Sequence, residues 1–103
     1  MQSNADSPTI TDADRARAFD RLLAHLRDNP SVQNIDLMNL AGFCRNCLST
    51  WLSDAVAENG GTLSKANARE FVYGMPFEAW KALHQREALP EQLTAFAEIK
   101  PKH

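Results

Sequence analysis

A chain of 103 residues with 44% apolar side chains has the length of one domain and buries roughly two thirds of its unfolded surface on folding. Its formal charge of -2, with 11 Lys and Arg scattered among 13 Asp and Glu, provides no basic stripe for a phosphate backbone, so nucleic acid is excluded as the expected partner. No apolar run approaches the roughly 18 residues of a membrane helix and the first ten residues carry no apolar signal core, so the chain reads as cytoplasmic with no membrane partner.

Residues 1–10 mix Ser, Asn, Asp and Pro without periodicity and are expected to be a disordered arm, followed by a single helical domain over 11–99. Thr11 with Asp14 three residues on forms an N-cap signature with an acid in the first turn, where the helix dipole favours negative charge. The stripe Phe19, Leu22, Leu23 and Leu26 then marks a helix, with Arg15, Arg17, Asp20, Arg21 and Arg27 outside it. Asn29-Pro30 stops it, because proline pushes the preceding residue out of the α region. After a short turn over 31–35, with Asn34 or Asp36 as cap, the spacing predicts one long central helix from Leu37 to Val56. Leu37, Leu40, Cys44, Cys47 and Trp51 step by threes and fours, and with Ala41, Leu48, Leu52 and Ala55 they fit an arc of about 140°. Asn39, Gly42, Asn46, Ser49 and Ser53 fall on the other side.

Asn59-Gly60-Gly61 ends that helix, since glycine accepts the left-handed conformation of a helix end. Ser64 caps a third helix carrying Ala68, Phe71 and Val72, which Gly74 terminates; Pro76 at a first helical position starts a fourth with Phe77, Trp80, Leu83 and His84 on one side. Pro90-Glu91 opens a fifth through Leu93 and Phe96, and residues 100–103 fray. No run alternates with period two, so the expectation is an all-α fold of about five helices around the central one.

Three blocks stand out beyond periodicity. They are 34–48 (Asn34-Ile35-Asp36-Leu37-Met38-Asn39-Leu40-Ala41-Gly42-Phe43-Cys44-Arg45-Asn46-Cys47-Leu48), then Ala68-Arg69-Glu70 with Val72-Tyr73-Gly74-Met75-Pro76-Phe77, then Trp80-Lys81 with Pro90-Glu91-Gln92. In order and length this pattern resembles the bacterial domain of unknown function family 1244 over roughly residues 17–97. The resemblance implies an all-helical fold of this size and brings no established activity, substrate or cofactor. Leu89 departs from it, standing where a capping Thr is expected before the Pro-Glu-Gln block.

Cys44 and Cys47 are the only cysteines, and three readings of them stay open. As a metal clamp for zinc or iron, the pair supplies two ligands of four, with His84 the best further candidate and His25 or a carboxylate behind it. As a redox pair it needs a thiolate stabilised by an open helix N-terminus, and two turns of predicted helix before Cys44 put those amides out of reach. As small hydrophobes in a helix seam, both thiols satisfy the apolar arc. Gly60-Gly61 lacks a preceding strand and a following Lys-Ser or Lys-Thr, so it is a helix stop and not a phosphate loop. No complete nucleophile, acid-base or phosphate-binding set is present, which favours a non-enzymatic interaction or regulatory protein over a metal- or thiol-dependent one.

Two tryptophans, one tyrosine and five phenylalanines exceed what short helices and tight turns enclose readily, predicting self-association as a helical homodimer. The corner set by Gly74 and Pro76 nominates Tyr73, Met75, Phe77, Trp80 and Lys81, with His84, as a partner or ligand surface. The alternative is that these aromatics plug the core where the helices turn.

Overall fold

The computed structural model describes residues 9–99, and within them the chain is all-helical, with six α-helices and no strand. They are α1 (Asp12–Arg27), α2 (Asn34–Ala41), α3 (Arg45–Glu58), α4 (Lys65–Tyr73), α5 (Phe77–His84) and α6 (Pro90–Ala97). The expected arm falls mostly on residues 1–8 and the frayed tail on 100–103, both outside the described residues. No helix among them is long and apolar enough to cross a membrane.

Local chemistry sets most boundaries where the sequence places them. The Thr11 hydroxyl accepts from the Asp14 amide at 3.1 Å and the Asp14 carboxylate accepts from the Thr11 amide at 3.0 Å, closing a reciprocal cap. That amide holds the Asp14 carboxyl below its ordinary range. Ser64 accepts from the Asn67 amide at the start of α4, and Gly74, at φ 77°, closes it. Pro76 caps α5 from one position outside the helix, while Pro90 is in the first turn of α6.

The predicted central helix does not exist as one element. Gly42 takes φ 79° and its amide bonds back to the Met38 carbonyl, ending α2; Phe43 lies outside any helix, Cys44 is extended, and α3 starts afresh at Arg45. There are therefore six helices rather than five, and the buried face of the second piece is rotated. The residues that α3 buries are Arg45, Leu48 and Ser49, whereas Trp51, assigned to the apolar arc, is 41% exposed. Continuing one helical phase through a broken helix shifts every later assignment.

The core consists of Leu23, Leu26, Leu48, Val72, Tyr73 and Trp80, with Phe19, Leu37, Phe43, Met75 and Phe77 packed against it. Each of these large buried apolar side chains contributes about 1.5–3 kcal/mol of transfer free energy. α4 lies at the middle, in contact with α1, α3 and α5, while α6 rests on α2. Arg27, in the last turn of α1, donates to the Val72 carbonyl at 3.2 Å and to that of Phe71, satisfying the C-terminal end of α4. Gln33 fastens the segment after α5 from both sides of its amide: Nε2 donates to the His84 carbonyl at 2.9 Å and Oε1 accepts from the Arg86 amide at 2.8 Å.

Candidate functional site

Because the chain restarts at Cys44, the Cys-Arg-Asn-Cys run forms the first turn of α3 instead of its middle. Cys44 is the N-cap residue, with extended φ −141° and ψ −175°. Its thiol sits at an open helix N-terminus, the arrangement that a continuous helix would have forbidden, and it lies 3.8 Å from the Cys47 thiol. Burial pushes the Cys44 thiol above its ordinary value, and the Cys47 and Asn46 amides directed at the sulfur oppose that rise. Cys44 is buried, while Cys47 is half-buried and lines an open groove of about 280 Å³ with Asn46, Thr50, Trp51 and Asp54.

The restart also brings α2 to the thiols. Met38 Sδ stands 4.0 Å from Cys47 Sγ, and Met38 is itself buried. In the predicted continuous helix, nine residues of rise would separate Met38 from Cys47 by about 13.5 Å. His84 is not part of this cluster. Its ring meets that of Trp80 at a tilt of 52° with centroids 5.5 Å apart, and among the described residues no three His, Cys, Asp or Glu side chains are grouped to hold a metal ion. The expected Cys44, Cys47 and His84 ligand set is therefore not assembled.

The two residues between the cysteines organise the domain. Arg45 is 2% exposed. Its Nη1 donates to the Val32 carbonyl at 2.7 Å and to Asn34 Oδ1 at 3.1 Å; its Nη2 reaches the Asn29 carbonyl at 3.1 Å and the Leu26 carbonyl at 3.4 Å. The guanidinium lies 4.9 Å from the Trp80 ring centroid. Burial lowers its pKa, with the Tyr73 and Cys44 sites acting against the shift. Asn46 Oδ1 accepts from the Tyr73 hydroxyl at 2.8 Å, and that hydroxyl accepts from Asn34 Nδ2 at 3.0 Å. Burial pushes the Tyr73 phenol up to about 12, against the lowering effect of the Asn34 bond. A buried arginine with carbonyl partners carries no sequence signature, because charged residues are read as surface.

The nominated corner is mostly core. Tyr73 and Trp80 are 3% and 2% exposed and meet edge to face with centroids 4.9 Å apart, so neither presents itself to a partner. Phe77 is half-buried against Tyr73, and Arg69 and Lys81 lie over its ring at 4.8 Å and 5.5 Å. Met75 packs on the core from its edge. The turn imposed by Gly74 and Pro76 directs these rings inward.

Apolar surface lies elsewhere. α6 buries none of its residues, and its attachment to α2 includes polar bonds: Asn39 Nδ2 donates to the Gln92 carbonyl at 3.1 Å and Gln92 Nε2 donates to Asp36 Oδ1 at 2.7 Å. Leu93 and Phe96 remain 54% and 41% exposed, and Leu89 before the helix is exposed too. On α2, Leu40 is 85% exposed, although it follows Asn39 directly and stands one turn from Asp36, on the edge that faces α6.

A family model described as "Protein of unknown function (DUF1244)" matches residues 32–98, from the turn before α2 to the end of α6 and more than half of the chain. No curated protein matches it.

Proposed function

Because the chain belongs to the family described as protein of unknown function DUF1244, a description that assigns no activity, we propose from its own surface that it is a non-enzymatic, self-associating helical module. Its occupant for the apolar face is a second copy of this chain. The observation that carries the reading is α6: a helix containing Leu93, Phe96 and two alanines buries no residue of its own and uses Gln92 as its polar tether to α2. Leu40, Leu89, Leu93 and Phe96 then make an exposed apolar surface on and beside one edge. Covering such a face twice over by a two-fold axis is the commonest solution among soluble oligomers, and the same patch serves both partners. In this reading the helices α1, α3, α4 and α5 form the self-contained part of the domain, and α2 with α6 presents the association surface.

Light scattering after size exclusion tests it at micromolar concentration. The expected mass is twice the chain's 11.5 kDa, and the paired substitutions Leu93→Asp and Phe96→Asp, both at exposed positions, return it to the single-chain value with helicity retained. A wild-type chain running at single-chain mass under these conditions overturns the reading.

A further inference from the structure

The sulfur cluster at the α2–α3 break, built from buried Met38 and Cys44 with half-buried Cys47, does a different kind of chemistry from the exposed apolar face. We propose that Cys44, Cys47 and Met38 form a three-sulfur site for a monovalent copper ion. Two thiolates and a thioether are soft donors, and that combination selects Cu(I) among the biological first-row ions, whereas zinc takes a fourth ligand from N, O or thiolate donors. Among the described residues no such group joins the cysteines. The two sulfur–sulfur spacings through Cys47 also fit. With a metal–sulfur bond of about 2.3 Å, the corners of a trigonal site stand about 4.0 Å apart, against 3.8 Å between the two thiols and 4.0 Å between Cys47 and Met38.

The surroundings suit the ion's charge and softness. Binding converts two thiols to thiolates and releases two protons, so the loaded site carries one net negative charge. Cys44 is the N-cap residue of α3, so the positive end of that helix lies beside its sulfur, and the Arg45 cation follows it directly. Met38 and Cys44 are buried, which keeps water from the ion, while Cys47 opens onto the groove beside Trp51 and gives the ion its entry path.

The test is anaerobic titration of the full, reduced chain with Cu(I) against a chromogenic Cu(I) chelator, with X-ray absorption of the product. One copper per chain, held in competition with the chelator and surrounded by three sulfur atoms, is the expected result. Met38→Leu keeps the volume and both thiols, and is expected to weaken binding at least tenfold and reduce the shell to two sulfurs; outer-shell losses alone cost roughly 10–100-fold at metal sites. Cys47→Ser is expected to abolish binding. Failure of the wild-type chain to hold copper against the chelator overturns the proposal, as does a Met38→Leu variant with unchanged affinity and three sulfurs. Equal retention of zinc from a mixture of the two ions overturns it also.

Discussion

Replacing Arg45 with methionine separates the work of the guanidinium from the space it fills. Methionine covers a similar volume beside Trp80, so the cavity left is small, but every donor is lost. Three hydrogen bonds of 2.7 to 3.1 Å disappear, to Val32, Asn29 and Asn34, along with a longer one to Leu26. A hydrogen bond from a charged donor contributes about 1.5–3 kcal/mol, and a stranded buried acceptor costs about 1–3 kcal/mol. Removing the cost of burying the cation offsets several kcal/mol of that sum. Val32 and Asn29 also border solvent, where water can replace part of the loss. The balance is a destabilisation of about 3 kcal/mol, which in a urea titration moves the midpoint of a domain this size down by about 2 M. Arg45→Lys, which supplies one point of donation in place of a fork, is expected to fall between, at about 1–2 kcal/mol. Wild-type stability in Arg45→Met refutes the argument, because the carbonyls of the α1–α2 connection would then need no cation to gather them.

Tyr73 gives stability an alkaline limit. Its phenol ionises near 10.0 when unfolded and at about 12 when folded, so between those values the unfolded chain binds fewer protons and stability falls as pH rises. The loss totals about 2–3 kcal/mol by the upper end of the window, and urea midpoints measured from pH 9 upward should show it, with a shallower fall in Tyr73→Phe, where the buried Cys44 thiol still contributes a loss of the same sign. Gly42→Ala places a Cβ in open space but at φ 79°, so it is expected to cost about 1 kcal/mol from conformation alone; a stabilised variant by thermal unfolding would contradict the left-handed break. Trp80→Ala removes a fully enclosed ring that also faces Arg45, and about 3–5 kcal/mol of chemical-denaturation stability should go with it. A loss below 1 kcal/mol would return Trp80 to the surface.

The helix ends were legible because their causes are local. Thr11 with Asp14, Ser64 with its following turn, Gly74 and Pro90 each act on groups within four residues, and each marks a boundary within a residue of where the spacing puts it. The break at Gly42 escaped for an energetic reason. Glycine inside a helix costs only about 1 kcal/mol, so an apolar repeat running from Leu37 to Trp51 outvotes it, and cysteine is not a favoured cap. What decides the break is tertiary: Arg45 must face the α1–α2 connection, and Asn46 must meet Tyr73 from α4. Both contacts span segments far apart in the chain, and so does the pairing of Met38 with Cys47, for which no spacing rule exists. The cysteine pair was visible, its placement at a helix start was not, and the third sulfur appears only once the chain folds back.

Gln33 sits before the first turn of α2 and does for the segment beyond α5 what a neighbouring strand would do, offering one donor and one acceptor to backbone two residues apart. Asp36 and Asn39 continue the same service to Gln92. Residues 85–99 are thus tethered by three polar side chains on two successive turns, and opening those turns is expected to free them together. Amide protons of α6 should therefore exchange in step with those of α2 and well before those of α4, giving the domain a slow, all-or-none centre and a separately fluctuating end.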